Sequence, residues 1–144
     1  TAFIFQDDPS VFTFSMHQEN LYPVKRQSSL DIGLENGTVD EEYLARLRES
    51  LPNVLDPFAP QLVVYIAGAD VYAQDQLGGL RLTLQGMEER DRLVVSECRR
   101  RGIPVAALLG GGYAARLEDT VRAHVNTARI LWANRETAAA GGPL

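Results

Sequence analysis

The sequence predicts an α/β fold built on a mainly parallel sheet. Three observations carry that expectation. Two short apolar runs, QLVVYIAG at 61–68 and IPVAALL at 103–109, read as strands buried on both faces by helices. Long segments with apolar residues three and four apart follow them, as in amphipathic helices. The resulting order of strand, helix, strand, helix, strand, helix fits the 144 residues of about one domain.

Taken in order, TAFIFQ at 1–6 reads as a short helix stopped by the turn cluster DDPS. VFTFSMHQ at 11–18 carries enough β-formers for a strand. From Glu19 to Thr38 the chain is polar and rich in turn residues, and a loop of that length inside a compact domain points to function. Residues 39–55 predict a helix with acidic residues in its first turn and Leu44, Leu47 and Leu51 on one face, closed by Pro57 and Pro60. After the strand at 61–68 comes the loop GADVYAQDQLGG, 68–79. Thr83 is placed to cap a helix reaching Gly102, although Gly86 weakens its first turn. The strand at 103–109 ends in GGGY. A last helix over 117–134 offers Val121, Val125, Ile130 and Trp132 as core candidates, and about 137–144 read as a frayed tail.

Composition narrows the function classes. Hydrophobic residues make up 45% and charged residues 23%, ordinary for a globular domain, and the formal net charge is −5. That charge argues against a direct nucleic-acid partner or an acidic membrane surface. The triplet Arg99, Arg100 and Arg101 reads as the solvated end of a helix. A single cysteine, Cys98, excludes an internal disulfide and a cysteine zinc cluster, and its apolar surroundings make it a core residue. No apolar run approaches the roughly 18 residues of a membrane span, and no signal peptide is recognisable, so a cytoplasmic location is expected. The sequence opens on Thr1 without a methionine, which reads as a trimmed or partial chain.

Ligands of open parallel sheets gather beyond the carboxyl ends of the strands. Three segments fall there: SMHQENLYP, GADVYAQDQLGG and GGGY. Asp70, just past a buried strand, is either a turn cap or a metal ligand or base. A catalytic zinc usually takes three protein ligands, and the two histidines, His17 and His124, form no local cluster with aspartate. GGGY would let backbone approach a ligand closely and set Tyr113 at the loop edge, where its phenol could serve an oxyanion. Spacing alone favours a plain turn there, and it matches neither phosphate-loop pattern. Ser15 and His17 share one side of a strand end, but no nucleophile elbow accompanies them.

The run VVYIAGADVYAQDQLGGLRLTLQGMEERDRLVV has an apolar strand, then Ala67, Gly68 and Asp70, then Asp75, Leu77, Gly78 and Leu80, then Thr83, then Arg90 and Asp91. This pattern resembles the second zinc-ligand region of the histone deacetylase superfamily, nearest its class IV and bacterial acetoin-utilisation-type members. IPVAALLGGGY is similar to that family's strand and catalytic-tyrosine loop, and VFTFSMHQENLYP to the strand and loop after its first zinc motif. The resemblance covers nearly the whole chain. It implies an arginase/deacetylase-like fold and zinc-dependent hydrolysis of acetyl-lysine or another acetylated amine, on a protein, polyamine or small amide substrate. By the same resemblance Asp70 is a zinc ligand and Tyr113 the tyrosine that steadies the tetrahedral intermediate. Gly111, Gly112, Leu77 and Tyr22 line the acyl-lysine tunnel, and Ser15 with the Met16 carbonyl holds a monovalent cation such as K⁺. Asp75 shapes the loop.

The family's Asp-x-His zinc motif and its histidine pair are absent from these 144 residues. The resemblance therefore implies the C-terminal part of a deacetylase domain over 1–144. Alone it should be inactive, bind zinc weakly, and be prone to self-association through exposed sheet edges. Two rivals remain: a non-catalytic α/β interaction or structural module on the same scaffold, and a nucleotide-binding domain using GGGY.

Overall fold

A computed structural model describes residues 1–21 and 25–135. The elements run β1 (Phe14–Gln18), β2 (Leu30–Leu34), α1 (Asp40–Phe58), β3 (Val63–Gly68), α2 (Leu84–Arg100), β4 (Val105–Gly110) and α3 (Leu117–Arg135). Both strand pairs are parallel: β1 with β2, from Phe14 opposite Leu30 to Gln18 opposite Leu34, and β3 with β4, from Val63 opposite Val105 to Gly68 opposite Gly110. These are two separate two-stranded sheets among the described residues. The expected α/β class with parallel strands holds.

The helices form where their apolar stripes meet the core. α1 buries Tyr43, Leu44, Leu47, Leu51, Val54 and Leu55. It runs through Pro57, which lies in its last turn rather than closing it. Ala59 ends it in a left-handed conformation, donating its N–H to Leu55 O at 3.0 Å, and Pro60 follows. Thr83 caps α2 as expected, its hydroxyl accepting from Gly86 N at 2.9 Å. The same hydroxyl donates to Asp40 Oδ2 at 2.6 Å, which joins the N-termini of α1 and α2. α2 packs on both α1 and α3. The central cluster combines Leu44, Leu47, Leu80, Leu82, Met87, Val94 and the fully buried Cys98.

Several expectations need correction. Residues 1–6 make one turn, with Ile4 N and Phe5 N donating to Thr1 O, and Phe3 and Ile4 stay exposed. So short a segment with no buried face cannot offset the cost of helix nucleation. The stretch 19–38 is not all loop, because β2 lies within it. Asp31 and Gly33 are poor strand formers, so pairing with β1 rather than local propensity makes this strand. Hydroxyls help fix it: Thr13 N donates to Ser29 Oγ at 3.1 Å and Ser29 N to Thr13 Oγ1 at 3.0 Å.

The third helix buries Ala123, Thr127 and Ile130, while Val121, Val125 and Trp132 are exposed. Ile130 is thus a core residue as expected, but Ala123 and Thr127 take the places expected of the larger apolar ones. On β3, Tyr65 and Val63 pack against the core but Val64 and Ile66 are each 57% exposed, so one face of this strand is uncovered among the described residues. Arg99 and Arg100 are solvated as expected. The Arg101 side chain is only 11% exposed and pairs with Asp56 at 2.5 Å and with Glu97, tying α2 to α1. The tail at 137–144 lies outside the described residues.

Candidate active site

The loop after β3 is organised by Asp75, not by Asp70. Asp75 is 7% exposed. Its Oδ1 accepts from Leu77 N at 2.9 Å and Gly78 N at 2.7 Å, and its Oδ2 accepts from Tyr113 N at 2.6 Å. One carboxylate therefore closes its own turn and pins the GGGY loop to it. Gln76 adds a second tie, its backbone N–H and its side-chain amide both donating to Tyr113 O at 3.0 Å.

Asp70 is different. It is exposed, and among the described residues its carboxylate accepts no hydrogen bond, so the capping alternative fails. Glycines flank it on the loop side. A Cβ on Gly78 would lie 2.1 Å from Asp70 O, and one on Gly111 would lie 3.3 Å from Asp70 Cγ. Gly111 also has φ +56, which L side chains rarely adopt. Glycine backbone thus borders a carboxylate that no donor among the described residues uses.

Beneath this point lies a buried charge pair. Arg90 and Asp91 are 4% and 1% exposed. Arg90 Nε donates to Asp91 Oδ1 at 2.9 Å, and Nη1 donates to Gly68 O at 2.7 Å, at the carboxyl end of β3. Asp91 also accepts from the Tyr65 hydroxyl and from Thr127 Oγ1, each at 2.5 Å. Burial pushes the Tyr65 phenol well above its usual range, against the opposing pull of Arg90, and Asp91 raises it further. Burial disfavours the Arg90 charge, but Tyr65 and Asp91 outweigh it and keep the guanidinium protonated. The sequence pattern contains Arg90 and Asp91 without revealing this role. A signal was present: they fall between Met87 and Val94, Val95 and Cys98 on one apolar stripe of α2.

The other expected site residues spread around Asp70. Ser15, Met16, His17, Gly68, Asp70 and Arg90 share one cavity. Ser15 Oγ lies 2.9 Å from His17 Nδ1, and Asp31 Oδ1 lies 4.0 Å from the same nitrogen. A nucleophile relay uses opposite ring nitrogens for serine and aspartate, so this contact is no Ser–His–Asp triad. Leu77 is 64% and Tyr113 61% exposed, and neither side chain lines that cavity. Gly112 has φ +106, and a Cβ there would meet Ala69 Cβ at 2.9 Å. Tyr22 lies outside the described residues. His124 Nε2 approaches Gly111 O at 3.4 Å from α3, while its Nδ1 is buried without a hydrogen-bond partner among the described residues. The sequence had marked His124 only as one of two histidines.

Comparison with known proteins gives this arrangement its family. The model for the histone deacetylase domain matches residues 1–128. The chain belongs to the histone deacetylase family. An uncharacterized protein of Picosynechococcus sp. is 50% identical over 125 residues, which cover 86% of this chain and 42% of that protein. Histone deacetylase 2 of Arabidopsis thaliana is 34% identical over 111 residues, covering 74% of this chain and 29% of that one. The crystal structure of acetylpolyamine aminohydrolase from Burkholderia pseudomallei superposes with a TM-score of 0.68 at 24% identity, covering 86% of this chain and 39% of that one. That likeness places the fold in the deacetylase class. The chain spans less than half the length of these relatives.

The donor set fits zinc only in part. Among the described residues no group of three His, Cys, Asp or Glu side chains could hold a metal ion. Asp70 is a suitable single donor, whereas Asp75 is engaged by three backbone N–H groups.

Proposed function

We propose that this chain forms part of a zinc-dependent amide hydrolase that removes acetyl groups from acetyl-lysine or a related acetylated amine. The free carboxylate of Asp70, held among bare glycine backbone beyond a strand end, carries this reading. Zinc belongs to it as the metal of the assembled domain, with Asp70 as one donor. The chain's own residues supply the rest of their share. Tyr113, whose backbone is fixed through Asp75 and Gln76, offers a phenol to the acyl oxygen as that oxygen becomes an oxyanion. Gly111 and Gly112 admit a narrow alkyl chain past the loop, and the exposed Leu77 walls it. Ser15 and the Met16 carbonyl would hold a monovalent cation such as K⁺ nearby.

The experiment uses a covalent chimera in which this chain replaces the matched stretch of the Picosynechococcus relative. Supplied with zinc, it should hydrolyse an acetyl-lysine peptide or an acetylated polyamine. Tyr113→Phe should lower the rate about 10²–10³-fold, as loss of an oxyanion donor does. A chimera that folds, takes up zinc and hydrolyses none of these amides would favour the non-catalytic module instead.

A further inference from the structure

The side of α3 turned away from the core is apolar along most of its length. Ala123, Thr127 and Ile130 face inward. On the opposite side Val121, Val125, Ala128 and Trp132 are all exposed. They stand alternately four and three positions apart, which places them on one continuous stripe. A helix with a single buried face is expected to be polar there. A contiguous apolar strip, unlike scattered surface residues, marks an interaction surface.

The stripe ends in a charge at each end, and the two charges differ in sign. Glu118 precedes Val121 by three positions, and Arg135 follows Trp132 by three, so both extend the same line. Both are exposed, and neither has an ion-pair partner among the described residues. Arg135 Cζ lies 3.2 Å from the centroid of the Trp132 ring, which holds its charge at the end of the stripe. At 1.5 Å per residue the two charges are about 25 Å apart on their own helix and cannot meet within it.

Run in the opposite direction, the stripe matches itself. A second α3 laid antiparallel sets Glu118 against Arg135, Val121 against Trp132 and Val125 against Ala128. Each larger apolar residue then faces a smaller one, as interdigitating packing requires. A two-fold axis repeats every contact. A parallel copy would instead set Glu118 on Glu118, Arg135 on Arg135 and Trp132 on Trp132.

We infer that the outer face of α3 is a homodimer surface, occupied by the α3 of a second copy of this chain in antiparallel orientation. Charge complementarity selects that occupant, because the two unpaired ends of the stripe satisfy each other only between copies. One helix pair is a small interface with exposed ion pairs, so the dimer is weak. Arg122 and Arg129 flank one side of the stripe, where the antiparallel copy brings Arg129 beside Arg122, and this repulsion weakens it further. None of these residues lines the cavity that contains Asp70, so the inference stands whether or not the assembled domain hydrolyses acetyl amides.

Sedimentation equilibrium of the full chain, and of the covalent chimera that supplies the rest of the domain, tests the inference. Both should show a concentration-dependent dimer. Glu118→Arg and Arg135→Glu should each weaken it about tenfold, since two ion pairs become two repulsions. The double charge swap should restore the parent affinity, which charges so far apart on one helix could do only between copies. Arg129→Glu should tighten the dimer by pairing with Arg122 of the second copy. Cysteine pairing gives a readout that does not depend on the charge variants. A mixture of Val121→Cys and Trp132→Cys chains should oxidise to a mixed disulfide dimer, while either variant alone stays reduced, its cysteines about 16 Å apart by helix rise. A chain still monomeric at about 1 mM, where only the weakest associations escape detection, overturns the inference. So does a dimer indifferent to the charge reversals, as one formed through sheet edges would be. A monomeric chimera overturns it as well, because the rest of the domain would then be what covers α3.

Discussion

Arg90 and Asp91, beneath the end of β3, are almost fully buried, and each is held by several partners. Asp70, two residues beyond the same strand end, is exposed and accepts no hydrogen bond among the described residues. The first region spends its charges on fixing strand, helix and helix together. The second keeps a carboxylate unused at the place where parallel sheets bind ligands. The difference separates residues that hold the site in place from residues left free for chemistry, and substitutions on either side should expose it.

The largest effect is expected at the buried pair. Asp91→Ala strands the Arg90 guanidinium and the Tyr65 and Thr127 hydroxyls, and should cost about 3–5 kcal/mol in urea unfolding. A loss under 1 kcal/mol would erase the contrast with Asp70. Asp75→Ala comes next. It frees three backbone N–H groups and unpins the Tyr113 loop, for an expected loss of about 2–4 kcal/mol. Limited proteolysis should then cut within 110–116 before the rest of the chain.

Alkaline pH should weaken the core by a smaller amount. Burial pushes the Cys98 thiol up from 9.0 to about 11 and the Tyr65 phenol well above 10. Both groups are neutral in the folded core, so their contribution is complete below about pH 9 and is lost as pH rises from there. For Cys98 the loss between pH 9 and 11 is about 2–3 kcal/mol. Cys98→Ala should flatten that part of the stability curve, and an unchanged slope would show that the thiol is not the group responsible. The smallest effect is expected at the free carboxylate: Asp70→Ala should change stability by no more than about 0.5 kcal/mol. A larger destabilisation would mean that Asp70 holds the loop after all.

Much of the fold was legible in the sequence, for physical reasons specific to each element. The runs at 61–68 and 103–109 were short and apolar, and they became β3 and β4. Thr83 showed itself as a cap by its place before a periodic segment. β2 was hidden because Asp31 and Gly33 disfavour strands and only its partner β1 makes one of it. The inner face of α3 was misread because Ala123 and Thr127, small or polar, are buried where Val121, Val125 and Trp132 had been expected. At the candidate site, local pattern left Asp70 open between cap and ligand. Family resemblance favoured the ligand, and the structure removed the cap. The pairing of Arg90 and Asp91 with Tyr65 and Thr127 joins residues as far as 36 positions apart, which no local pattern displays.

The central claim is that Asp70 is one donor of a metal site completed by residues outside this chain. Zinc titration tests it most directly, comparing the isolated chain with the covalent chimera. The account predicts no binding tighter than millimolar by the isolated chain, and tight 1:1 binding by the chimera that Asp70→Ala weakens at least 100-fold. Micromolar 1:1 binding by the isolated chain through Asp70, or tight binding by the chimera that Asp70→Ala leaves unchanged, would contradict it.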